Sequence, residues 1–152
     1  MPHDVAESRQ IDAPAESVWA LVADLTRMGE WSPENQGGRW VKGDGPAVGS
    51  VFRGHNRNGF RRWSTTATVT DSEPGRSFEI AVTFAGLAIA DWRYELEDSA
   101  GGCRVTESWL DKRAGWMRLL ARPLGDHSAT HAHQEMAATL ANLAKAAEQV
   151  HS

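Results

Sequence analysis

Thiols are nearly absent from this chain. Cys103 is the single cysteine among 152 residues, so no internal disulfide can form, and the pattern agrees with a reducing compartment. Long apolar runs are missing as well. No stretch approaches the roughly 20 residues that cross a bilayer as a helix, and the opening MPHDVAESRQ has no apolar core of signal-peptide length. A cytoplasmic protein is therefore expected. Positive charge is in deficit, with a formal net charge of −4 at pH 7. Proteins that grip phosphates usually carry a basic balance, so nucleic acid is not the expected partner. Catalytic signatures are absent too. No HExxH occurs, and no Ser-His-Asp or Cys-His set can be assembled by spacing. The glycines of GGRWVKGDGPAVG lack the lysine and the strand-turn-helix setting of a phosphate loop. No cofactor is expected on these grounds.

Tyrosine occurs once, as Tyr94, against seven tryptophans. Tryptophan supplies large, flat, apolar surface with one polar handle. The hydrophobic share of 41% and charged share of 24% suit a globular chain. At this length roughly 70% of the unfolded surface can be hidden, so one domain over 1–152 with a real core is expected.

Residues 5–12 alternate as a polar-leaning strand. Pro14 and Glu16 then suit a first helical turn, and Val18, Trp19, Leu21, Val22 and Leu25 recur at helical spacing. Gly29 and Pro33 end a second short turn. From 37 to about 112 the chain reads as hairpins. Strands are expected over 37–43, 50–58, 60–73, 76–84, 88–98 and 103–111, with Asn58-Gly59 as the strongest hairpin signal. Beyond 113 the pattern is helical, broken at Pro123 and Gly125. Asp126 is a plausible N-cap for a last helix whose apolar stripe is Met136, Leu140, Leu143, Ala147 and Val150. The strands alternate apolar and polar, so one sheet face is covered and the other is wet. The result is an α+β fold: a curved antiparallel sheet of about seven strands around a long C-terminal helix, with two short helices after strand 1.

This order, with the segments SRQIDAPAESVWALVADLTRMGEWSP, WSTTATVTDSEPGRSFEI and WRYELEDSAGGCRVTESW, resembles the START-like superfamily (SRPBCC, Bet v 1-like) over nearly the whole chain. Within it, the chain is similar to the bacterial polyketide cyclase/dehydrase and lipid-transport-like group. The resemblance implies a helix-grip fold with a cavity between the sheet and the C-terminal helix. The fold hosts lipid carriers, hormone receptors, cyclases and co-chaperones, so it implies no single chemistry.

Pleating assigns the candidate site. With the apolar sides turned to the helix, the concave face carries Phe52, Asn56, Trp63, Phe78, Ile80, Val82, Trp92, Tyr94, Val105, Glu107 and Trp109. Thr65, Ala67, Val69, Phe84, Ala90 and Leu96 join them. Such a set either fills a core or lines a chamber for a hydrophobic small molecule. Alanines along the last helix, among them Ala137, Ala138, Ala141, Ala144 and Ala147, favour leftover space. Trp31 and the loop around Gly86 are candidates for the mouth.

Glu107 stands out because ionisation among Cys103, Val105 and Trp109 is penalised. Its expected partner is Asn56, Tyr94 or an indole N–H. It serves as a structural acceptor, as an anchor for a ligand hydroxyl, or as a general acid/base in a cyclase or dehydratase. A module for protein interaction is a third reading. Asn56 faces inward only in the register that also turns Phe52 inward; a one-residue slip would bring in His55. Arg53, Arg57, Arg61 and Arg62 crowd one hairpin, where they read as a solvated edge. His127, His131 and Glu135 are spaced at single helical turns, but His127 and His131 lie opposite the apolar stripe, so no metal site is expected.

Overall fold

The alternating stretches become strands wherever a turn signal lets the chain fold back. A computed structural model describes residues 5–31, 35–43, 45–113, 116 and 129–151. In chain order it contains β1 (Val5–Ile11), α1 (Ala15–Ala23), a 3₁₀ segment (Leu25–Glu30), β2 (Asn35–Lys42), β3 (Val51–Asn58), β4 (Arg61–Glu73), β5 (Ser77–Phe84), β6 (Leu87–Ser99), β7 (Gly102–Asp111) and α2 (Ala129–His151). The strands form one antiparallel sheet in the order β1-β7-β6-β5-β4-β3-β2. β2 to β7 make a meander, and β1 closes the far edge beside β7. This is the helix-grip architecture.

Three local features differ from the sequence reading. Asn58 pairs with Arg61, so the β3–β4 loop is Gly59-Phe60 and not Asn58-Gly59. Gly59 supplies the positive φ of 67° that this tight turn needs, and Phe60 is pushed to the apex. Trp31 is not at a mouth. It is 2% exposed in the main core, and its carbonyl accepts a hydrogen bond from Asn142 Nδ2 at 3.0 Å. Phe84 is exposed, because a register shift after Val82 ends the regular alternation at the tip of β5. The Asp126 cap, the break at Pro123 and Gly125, and His127 lie outside the described residues, as do the side chains of His131 and Val150.

α2 lies along β1, β7 and α1. Its face of Met136, Leu140, Leu143, Ala144 and Ala147 is buried, while Ala137 and Ala141 face solvent and create no space against the sheet. The core under α1 is filled: Val18, Val22, Val69, Phe78, Leu96 and Val105 are buried there. The outer sheet face is polar. Arg93 reaches Asp71 at 3.0 Å, Glu95 at 3.4 Å and Glu79 at 3.8 Å across it. Among the described residues no helix is long and apolar enough to cross a membrane.

Candidate functional site

Antiparallel register sorts the inner face into rows. Phe78, Tyr94, Glu107 and Glu7 stand side by side across β5, β6, β7 and β1. Ile80, Trp92, Trp109 and Val5 form the next row toward the turn of the β5–β6 hairpin. Val82 and Ala90 follow. The Trp92 and Trp109 rings lie 6.2 Å apart in a tilted pair, so an acid row is backed by an indole row.

Glu107 is 3% exposed. Tyr94 Oη donates to its Oε2 at 2.9 Å, which selects Tyr94 from the three imagined partners. Oε1 has no hydrogen-bond partner among the described residues. Burial pushes the carboxyl up to about 8. The Tyr94 hydrogen bond pulls it down, and the negative charge of Glu135 on α2 pushes it up again. Near neutral pH the group is therefore largely a neutral acid. It can donate or accept a hydrogen bond through Oε1, and it can exchange a proton close to physiological pH. Its neighbour Glu7 turns instead to His133 Nδ1, 2.6 Å away, which ties β1 to α2.

The remaining expected residues divide by burial. Phe52, Phe78, Ile80, Val105 and Trp109 are buried. Phe52 meets the Trp40 ring edge-on and Phe78 meets Trp19 in the same way, so both serve the core. Trp63, Val82, Trp92 and Asn56 share the inner face yet stay only partly buried. Asn56 is inward as expected, but it donates to Thr65 Oγ1 at 3.1 Å and does not meet Glu107. Four strand spacings separate them across the sheet, about 19 Å, and the register adds an offset of nine residues along β4, from Trp63 opposite Asn56 to Ser72 in the row of Glu107.

Asn56 and Trp63 instead border an open recess of about 430 Å³ that His55, Arg62 and Ser64 also line. It lies along β4 where that strand outruns β5: Thr66 pairs with Thr83, so residues 61–64 pass the end of β5. Glu7, His133 and Glu135 were not singled out as companions of Glu107. The acid beside Glu107 is fixed by the β1–β7 pairing, and no sequence period signals that. Among the described residues no three His, Cys, Asp or Glu side chains are placed to hold a metal ion.

Comparison with known proteins agrees with this fold. The family model for polyketide cyclase/dehydrase and lipid transport matches residues 2–148. The Polyketide_cyc-like protein Cgl2372 from Corynebacterium glutamicum is 32% identical, over 96% of this chain and 87% of its own, with a TM-score of 0.54. Protein CV1439 from Chromobacterium violaceum is 14% identical over 95% and 96%, with a TM-score of 0.72. Ginseng major latex-like protein 151 from Panax ginseng is 11% identical over 94% and 95%, with a TM-score of 0.74. No match was found among curated proteins.

Proposed function

The chain belongs to the polyketide cyclase/dehydrase and lipid transport family, and from that premise we propose that it binds a hydrophobic or amphipathic small molecule, lipid or polyketide-like, between the inner sheet face and α2. One observation carries the reading. On the same face as a filled core, Trp92 in the next row and Val82 one row further remain partly exposed near a buried acid whose Oε1 has no hydrogen-bond partner among the described residues. Apolar side chains left short of full burial, near an unspent polar group, are the composition of a small-molecule site. Covering ~200 Å² of such surface contributes about 5 kcal/mol before ordering costs. Glu107 and Tyr94 orient the polar end of the ligand. Asn56 acts separately, at the hairpin recess.

The test is native mass spectrometry of the purified chain, followed by tryptophan-fluorescence titration with whatever co-purifies. A bound lipid-like species whose affinity falls on Trp92→Ala supports the reading. An empty protein that takes up no amphiphile, with wild-type and variant alike, removes it. A second reading is favoured by the elevated carboxyl: a group poised near pH 8 can move a proton in a cyclisation or dehydration. Glu107→Gln separates the two. A carrier keeps most of its affinity, while a catalyst keeps binding and loses turnover of the co-purified compound.

A further inference from the structure

The β3–β4 hairpin concentrates positive charge that no acid in the same stretch balances. Residues 45–70 contain four arginines and no Asp or Glu, in a protein of net charge −4. Pairing sharpens the imbalance. Arg39 stands directly opposite Arg53, and Arg57 directly opposite Arg62, all on the outer face. All four are exposed. Like charges in directly opposed positions destabilise a sheet. Among the described residues no carboxylate pairs with any of the four; Arg57 donates to its own turn, to the Gly59 carbonyl at 2.7 Å. A stripe kept at a cost in stability is explained by an anion outside the protein.

The tip adds a second, apolar signal. Phe60 is 90% exposed at the apex of this hairpin. Phe84 and Leu87 are exposed on the β5–β6 tip, at the same end of the sheet. The β3–β4 apex projects five residues beyond that tip, or about 16 Å. A single-stranded nucleic acid would use the arginines for its phosphates and Phe60 for stacking, but it gives no role to the aliphatic Leu87 exposed on the next tip, and the net charge of −4 opposes a polyanion. A lipid surface uses both: headgroup charge for the arginines and the interfacial layer for the rings. We propose that the β3–β4 hairpin, with Arg53, Arg57 and Arg62 on its outer face and Phe60 at its apex, docks the protein on an anionic lipid bilayer.

The docking does not rest on a ligand in the interior, and its assay reads none. The purified full chain is sedimented with vesicles of phosphatidylcholine, with and without phosphatidylglycerol. Binding is expected only to the anionic vesicles, and it weakens as salt rises. Each arginine removed should weaken it about five-fold. Phe60→Ser should weaken it about ten-fold without changing the salt dependence. The double variant Arg57→Ala/Arg62→Ala should lose vesicle binding while keeping or raising its melting temperature, because it removes an opposed pair. That combination separates docking from a folding defect. Equal sedimentation with neutral vesicles overturns the proposal. So does undiminished binding by the double variant, or tighter binding to a single-stranded RNA oligonucleotide than to the vesicles.

Discussion

Replacing Glu107 by Gln tests how the site handles charge. The carboxyl sits at about 8 in the folded protein against a reference of 4.5. Below about pH 4.5 both folded and unfolded chains hold the proton, and burial of this side chain costs nothing electrostatic. Above that pH the unfolded chain releases the proton while the folded one retains it. The unfolded state then binds fewer protons, so stability falls as pH rises, until the folded carboxyl itself ionises. Between pH 5 and pH 8 the loss integrates to about 3–4 kcal/mol. For a chain of this size that corresponds to about 10 °C in melting temperature. Glutamine keeps the shape and still accepts the Tyr94 hydroxyl, but it has no proton to lose. Thermal unfolding followed by circular dichroism at pH 5 and pH 8, in wild type and variant, gives a double difference from which other titrating groups cancel. The Glu107→Gln protein should lose about 10 °C less than wild type over this interval. Parallel pH profiles would refute the reasoning, because they would mean that Glu107 ionises as an ordinary carboxyl despite 3% exposure.

Tyr94→Phe removes the hydrogen bond that holds the Glu107 carboxyl down, so its titration, followed by carbon-13 NMR, should move above 8; the protein should lose about 1–3 kcal/mol above neutral pH, and an unmoved titration would dismiss the contact. Gly102→Ala places a Cβ 2.1 Å from the Ile11 carbonyl oxygen and 3.0 Å from Asp12 Cα. Both are backbone atoms that cannot rotate away, so urea unfolding should show a loss of about 1–3 kcal/mol, and wild-type stability would contradict the close approach. Ala100 and Gly101 form a two-residue turn with φ of 40° and 85°, which strains an alanine. Ala100→Asn should therefore raise the urea midpoint by about 1 kcal/mol equivalent, and a lowered midpoint would exclude this turn geometry.

Period-two alternation was enough to find the strands, because each strand has one dry and one wet side, and helical spacing found α1 and α2 for the same reason. It also placed Glu107, Tyr94, Trp92 and Trp109 on one face, since direction along a strand is fixed once any neighbour's direction is known. Errors fell where one residue of slack is cheap. The turn at 58–61 closes on Gly59-Phe60 because pairing of Asn58 with Arg61 sets the loop. Trp31 looked like a rim residue because it sits in a loop, yet Asn142, far along the chain, holds it in the core.

What the sequence determined by itself was local: which segments are strands or helices, which sides are oily, and that an acid lies among them. Only the tertiary structure decided which acids and hydroxyls meet. Glu7 comes beside Glu107 because β1 crosses to the far edge and pairs with β7. Glu135 bears on the same carboxyl because α2 lies back along that edge. Asn56 is left far from Glu107 because four strand spacings and an offset of nine residues along β4 intervene. Strand order and helix placement are long-range choices, set by how the whole chain buries its apolar faces, and no window of residues encodes them alone.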